Sequence, residues 1–371
     1  MSGDQETATP QSVEEIIDLI RSGSSLIPRG GKTKPTLSAA NTKVSTVDMR
    51  SMSGIVEYLP SEYTITVKAG TTLQELIKAL AENRQYLPFD PTMAEQGATI
   101  GGTVASGISG PGAYRYGPIK DFIIGVRFID GEGNHVQGGG KVVKNAAGFD
   151  FPKLFNGSLG RMGIMTDLSF KVFPEPPSYA TLEAKMDSFE DAITVLPKLK
   201  GFDLEGVEID NHRILYLRLG YQKPTMASRK ESLENLIGKP MKLTIGAREP
   251  ETWSRFKAFD WSDPEGILIK TVIHTTSAVN VLKSLGNSNW KIHFSNGAKS
   301  IFLGGDASAD PEEIDHILSQ YSLPGLQLRG ECIAHPLLGH HVSLPFIGRI
   351  QKALDPKKVF QPFPIKEALS A

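Results

Sequence analysis

The chain has 371 residues, 40% of them apolar and 22% charged, with a net charge of −1; this is the composition of a globular protein long enough for two cores, and it excludes a general basic face for nucleic acid. The one cysteine, Cys332, excludes an internal disulfide, and an iron–sulfur cluster or thiolate zinc site built by this chain alone. No signal-like stretch and no apolar run of about 18 residues occurs, so the expectation is a cytoplasmic protein, with peripheral attachment at the inner face of the cell membrane left open.

Residues 1–11 are polar and read as a flexible start. "SVEEIIDLIRSG" reads as a helix. Ser12 and Glu15 form its capping box, Ile16, Leu19 and Ile20 its apolar face, and Gly23 its stop. "SLIPRGGKTKP" reads as a short strand entering a Gly-rich turn. In "YTITVKAG" the alternation of Tyr63, Ile65, Val67 and Ala69 predicts a half-buried strand. "TTLQELIKALAENRQ" predicts a helix capped by Thr72 and Glu75, with Leu73, Leu76, Ile77 and Leu80 at helical spacing. "ATIGGTVASGISGPGAYRYG" (98–117) then packs small residues together. "DFIIGVRFIDGEGNHVQ" predicts a hairpin turning at Asp130-Gly131. "GIMTDLSFKVF" alternates Ile164, Thr166, Leu168, Phe170 and Val172, and "PEPPS" (174–178) marks a boundary. Beyond it the predicted order is βαββαβ, twice: two ferredoxin-like halves around a largely antiparallel sheet. The expected class is therefore α+β, with a first domain over 12–176, a second over 179–340 and a strap over 341–371.

Two loops, "PRGGKTKP" (28–35) and 98–117, carry the glycines. Glycine admits positive φ and close approach to main-chain amides, and successive amides form a concavity suited to phosphate. Hydroxyls of Thr103, Ser106 and Ser109 stand beside that backbone. The common nucleotide motifs fail on spacing. "GSLGRMG" places Gly157, Gly160 and Gly163 three apart, which is not the dinucleotide fingerprint. "GKT" at 31–33 ends like a P-loop, but Leu26 stands where its first glycine belongs.

Five blocks in order resemble the FAD-binding domain of the vanillyl-alcohol oxidase (PCMH) type, over about residues 12–174. They are "PRGGKTKP", "VEYLPSEYTITVKAGTTLQEL", "PFDPTMAEQGATIGGTVASGISGPGAYRYG", "KVVKNAAGFDFPKLFNGSLGRMGIMTDLSFKVFP" and the tail "ALDPKKVFQP". The third and fourth look most like the smaller FAD-binding subunit of glycolate oxidases. The resemblance implies that Gly30 and Gly31 cap the diphosphate of FAD, with Arg29, Lys32 and Thr33 beside it. It lays the pyrophosphate and ribityl chain along Thr99, Ile100, Gly101, Gly102, Thr103, Ser106 and Gly107. It adds Pro91, Tyr116 and Gly117, then Gly157, Gly160, Gly163 and Ile164. Two departures stand out: Lys32 replaces the third glycine usual in the first loop, and neither loop holds the His or Cys that tethers flavin in many relatives. Non-covalent FAD is expected.

The second domain offers cations for a substrate carboxylate in Arg218, Lys270 and Arg329, and bases in His274, His293 and His335. The histidines of "HPLLGHH" (335–341) match no familiar metal spacing, and no metal is expected. "KNAAGFD" reads as a loop supporting the flavin. The "HxGDGN"-like substrate motif of D-lactate dehydrogenase-like relatives is absent. The resemblance implies an FAD-dependent oxidoreductase subunit that converts a short 2-hydroxy acid, glycolate, to its 2-oxo acid. Its implied partners are a larger FAD-binding subunit and an iron–sulfur subunit. Two further readings stay open: a self-sufficient D-lactate or 2-hydroxy-acid dehydrogenase, and a flavin-binding assembly subunit without turnover. A fourth, the flavin reductase of cell-wall precursor synthesis, is opposed by the double βαββαβ pattern.

Overall fold

The computed structural model describes residues 7–39, 44–140, 149–286, 288–331 and 335–363. Cys332 and the "KNAAG" of 144–148 lie outside the described residues. Two compact units emerge. Described residues within Met1–Ser109, Pro118–Pro174 and Val342–Ala371 form the first; Gly110–Gly117 and Glu175–His341 form the second.

The first unit opens as its sequence directs. Helix Val13–Arg21 is capped by Ser12, whose Oγ accepts from the Glu15 amide, while the Glu15 carboxylate accepts from the Gln11 amide (2.8 Å). Ile16 and Ile20 are buried and Leu19 only partly so. A parallel sheet of β1 (Thr7–Ala8), β2 (Leu26–Arg29) and β3 (Ser45–Asp48) runs in the order β1-β3-β2. Phe360 adds a parallel bridge to Leu26, so the C-terminal strap extends this sheet. Beside it stands an antiparallel sheet of β4 (Ile55–Leu59), β5 (Thr64–Lys68), β7 (Ile123–Ile129), β8 (His135–Gly139) and β9 (Ile164–Lys171), in the order β4-β5-β9-β7-β8. The short β6 (Gln85–Tyr86) pairs with β10 (Phe173–Pro174). The alternation in β9 places Ile164, Thr166, Leu168 and Phe170 in the interior.

Two predicted faces are narrower than the pattern suggested. Tyr63 is not in β5: it ends the 3-10 turn Pro60–Glu62 at φ 53°, exposed. In helix Leu73–Ala81, Leu73, Leu76 and Leu80 are buried, while Ile77 at the stripe's edge is 40% exposed. The β7–β8 loop takes five residues, organised by Asp130 Oδ1 accepting from the amides of Glu132 and Asn134.

The second unit is one nine-stranded sheet. Its first half is β11 (Tyr179–Lys185), helix Phe189–Val195, β12 (Leu204–Ile209), β13 (Ile214–Gly220), helix Lys223–Ile237 and β14 (Lys242–Ile245). Its second half is β15 (Ile267–Val272), helix Thr275–Leu285, β16 (Lys291–Ser295), β17 (Ser300–Gly305), helix Pro311–Gln320 and β18 (Pro324–Arg329), with β19 (Leu337–Gly339) at the edge. The order β14-β11-β13-β12-β16-β17-β15-β18-β19 is two mirrored ferredoxin-like halves meeting at β12 and β16. One face packs the helices through Leu217, Ile209, Phe294, Ile269 and Leu303. The alternate residues face the other way, under the helix Arg248–Ala258 and the turn that follows it: Phe256 meets Tyr216, Trp261 stacks on His293, and Phe259 meets Phe302.

Candidate functional site: a glycine-lined cleft

In the first unit, β2 runs directly into the loop 30–34. Helix Ile100–Ser106 starts at the Thr99 cap, whose Oγ1 accepts from the Gly102 amide. The two segments share an open cleft. Arg29, Gly30, Gly31, Lys32, Thr33, Thr99, Gly101, Gly102, Ser106, Gly160 and Gly163 line it.

Much of the glycine content serves the chain's contact with itself. A Cβ on Gly31 would overlap the Gly97 carbonyl, and one on Gly30 would overlap the Thr99 hydroxyl; a Cβ on Gly101 would fall 2.7 Å from the Ala69 carbonyl oxygen. Gly102 differs: the nearest atom to its Cβ position is Thr99 Oγ1 at 3.1 Å, and nothing else lies within 4 Å.

The donors are also divided unevenly. The helix-start amides are occupied: Ile100 donates to the Thr71 carbonyl and Gly101 to the Ala69 carbonyl. The amides of Gly30, Gly31, Lys32 and Thr33 meet no acceptor among the described residues. Four successive unpaired amides, with Lys32 at φ 56°, are the kind of main-chain arrangement suited to an anion.

Sequence reasoning missed Lys34. It is 8% exposed and lines the cleft, and loss of hydration draws its pKa down to about 8. Its Nζ reaches Thr33 Oγ1 (3.2 Å) and Met93 Sδ (3.9 Å). A lysine in a polar loop gives no periodic signal, and Lys32, the one singled out, is exposed. Arg29 donates to the Ser38 carbonyl at 3.0 Å, and burial lowers its pKa. Pro28, Leu37, Met49, Ala69, Ala105, Leu159 and Met165 add apolar wall.

Other expected contacts do not line the cleft. Pro91, Ile100 and Ile164 are buried. Thr103 Oγ1 donates to the Thr99 carbonyl, Gly107 caps the helix in the left-handed region, and Gly157 donates its amide to Val104. Tyr116 and Gly117 belong to the second unit, as do all six residues suggested for substrate chemistry.

Three of those six are engaged within that unit. Arg218 makes a bidentate pair with Glu249 (2.8 and 3.1 Å) and stacks on Tyr179. Arg329 donates to the Ser262 hydroxyl and to the carbonyls of Gly266 and Asp263. His293, 2% exposed, is 2.7 Å from Glu208. His274 is exposed at a helix start, and His335 Nδ1 is buried without a hydrogen-bond partner among the described residues. Lys270 is half-buried with no acidic partner among the described residues, and desolvation brings its pKa to about 8. It lies on the same sheet face as His293, with Phe302 on the strand between. Among the described residues no His, Cys, Asp or Glu cluster suits a metal, and no helix is long and apolar enough to cross a membrane.

The unpaired amides, the buried ammonium and the open face of Gly102 fit a cofactor with a diphosphate. The class is shown by comparison: residues 5–139 match the family model described as FAD binding domain, so the chain carries that domain and FAD is the cofactor it takes. Among curated proteins it is 34% identical over 224 residues to glycolate oxidase subunit GlcE of Escherichia coli (strain K12), covering 60% of this chain and 63% of that one. It is 29% identical over 188 residues to glycolate oxidase subunit GlcD of Bacillus subtilis (strain 168), with 49% and 40% covered. It is 30% identical over 152 residues to D-lactate dehydrogenase of Anaerostipes hadrus, with 41% and 32% covered. The chain thus spans less than two thirds of the length of each.

Proposed function

We propose that this chain is an FAD-binding subunit of a complex that oxidises a short 2-hydroxy acid, glycolate, to the 2-oxo acid. The observation that carries this reading is the cleft, where unpaired amides of 30–33, Lys34 and the bare side of Gly102 converge. Removal of two electrons and two protons from the hydroxy acid needs an acceptor, and bound FAD supplies electron acceptance. The protein's own part at the cofactor is to hold it. Amides of Gly30–Thr33 and the Lys34 ammonium take the diphosphate, and Gly102 leaves room for the chain beyond it. Binding is non-covalent, since neither loop holds a His or Cys. At the substrate, Lys270 is the cation assigned to the carboxylate, because Arg218 and Arg329 are already committed to neighbours.

Electrons would then pass to an iron–sulfur partner; with one cysteine in this chain, any cluster sits on another polypeptide. A larger flavin subunit completes the assembly, which resides in the cytoplasm or at the inner face of the membrane. A second reading, a flavin-binding subunit with no turnover of its own, is favoured by the same commitment of Arg218, Arg329 and His293.

The test is the purified chain under anaerobic conditions. The expected protein is yellow, with FAD released by acid. Bleaching by glycolate or D-lactate alone supports independent turnover. Bleaching only after partner subunits are added supports the complex. A chain that stays colourless when offered FAD sinks the reading.

A further inference from the structure

We propose that Lys34 is the charge that selects a diphosphate-bearing flavin over a neutral one, and that it couples retention of that cofactor to pH. This rests on the FAD-binding reading and adds a specific residue to it. The ammonium is buried in the cleft wall, and among the described residues it reaches only a hydroxyl and a thioether. A buried charge without a counterion is unfavourable, so it either loses its proton or acquires an anion. No carboxylate among the described residues reaches it. Asp48, at the end of β3, is bound by Arg50 (3.0 and 3.1 Å from Nε) and sits within the field of Lys32. The loop that brings Met93 also carries Asp90 and Glu95, and neither pairs with Lys34. The remaining charges nearby, Arg29 and Lys32, are cations. The counterion must therefore come with the ligand, and the unpaired amides of 30–33 mark where its anionic group lies.

The sign of the linkage follows. Without ligand the Lys34 amine titrates at about 8; a bound diphosphate raises that value by stabilising the charged form. Below pH 8 the ammonium is present in both states, and affinity is flat. Above it, binding takes up a proton and weakens, by up to about tenfold per pH unit.

The experiment uses the full chain stripped of FAD. Calorimetry at pH 6.5 and 9, in buffers of different ionisation enthalpy, reads both affinity and proton uptake. The expected wild-type result is uptake near zero at pH 6.5, and approaching one proton per FAD at pH 9. Lys34→Met, close in shape, should weaken FAD by about 10- to 100-fold at pH 6.5 and abolish the uptake. Riboflavin, which lacks phosphate, should bind both proteins alike at either pH. Lys270 titrates in the same range but remains in the variant, so uptake that persists in Lys34→Met assigns the proton elsewhere and overturns the inference. So does a wild-type affinity that does not change between the two pH values, a result that needs no variant to fold. Failure of the wild type to bind FAD at any pH overturns the functional reading itself, and this inference with it.

Discussion

Gly31 and Gly102 line one cleft for different reasons, and substitution separates them. At Gly31 a Cβ meets the Gly97 carbonyl, which is backbone and cannot swing aside. Gly31→Ala should lower stability by about 1–3 kcal/mol, as overpacking does, and should release FAD because the loop shifts. At Gly102 the position is helical and a Cβ would meet only the capping Thr99 hydroxyl, at 3.1 Å. Gly102→Ala should leave the melting temperature near the wild-type value, since alanine's gain of about 0.5–1 kcal/mol over glycine in a helix is offset by crowding of the Thr99 hydroxyl, while its methyl group fills cofactor space and weakens FAD binding. Thermal melts of the stripped protein beside FAD titrations test both. If Gly102→Ala bound FAD as wild type does, the cofactor would not run along that face. The glycine richness was visible in the sequence, but its division between packing and ligand was not, because spacing does not say which backbone lies opposite. Lys34 also predicts an opposite pH trend for the stripped protein. Its folded pKa of about 8 lies below the ordinary 10.5, so the unfolded chain holds more protons between those values and stability rises with pH across that window. The gain is on the order of 3 kcal/mol at most. Urea midpoints at pH 7.5 and 10 should show the rise in wild type and less of it in Lys34→Met.

At the scale of elements, the seam between the two ferredoxin-like halves depends on one carboxylate. β12 and β16 pair at Ile209 and Phe294. Beside that pairing, Glu208 accepts from Ser295 Oγ (2.9 Å) and the Asn296 amide (3.0 Å), with His293 Nε2 at 2.7 Å. Glu208→Ala strands these buried partners and should destabilise the unit by about 3–5 kcal/mol. Glu208→Gln, which keeps an acceptor, should lose less. Denaturant unfolding should show the midpoint fall in that order; equal loss in both would mean that charge alone matters there. The repeat was legible in the element order because each half carries its own alternation, as in "RILYLRLG" and "KSIFLGGD". The roof was not legible. "REPETWSRFKAF" bears Trp253, Phe256 and Phe259, yet nothing in its spacing says that it covers the sheet face holding Arg218 and His293. Those residues looked available for substrate because their partners, Glu249 and Glu208, lie far away in sequence.

For the molecule as a whole, the first unit is closed by residues remote from its start. Val359 accepts the Leu26 amide at 2.8 Å, and Gln361 returns a bond to the Leu26 carbonyl at 3.3 Å. Asp355 turns the strap by accepting from the amides of Val359 and Phe360, both at 2.8 Å. The buried Arg161 guanidinium donates to the Pro362 carbonyl, and Gln351 bridges the carbonyls of Arg161 and Gln361. Leu26 begins the strand that delivers Gly30–Thr33 to the cleft, so the strap supports the cofactor loop without lining the cleft. This predicts a split phenotype. Asp355→Ala removes the acceptor for two buried amides and should cost about 2–3 kcal/mol in the first unit. FAD affinity should fall in step with that loss, and saturating FAD should restore the melting temperature through mass action. The second unit, whose sheet does not include β2, should unfold at an unchanged midpoint. Fluorescence of Trp253, Trp261 and Trp290, all in the second unit, reports its unfolding, while bound flavin reports the first. A tryptophan transition that shifts with the flavin signal would show that the strap stabilises both units together.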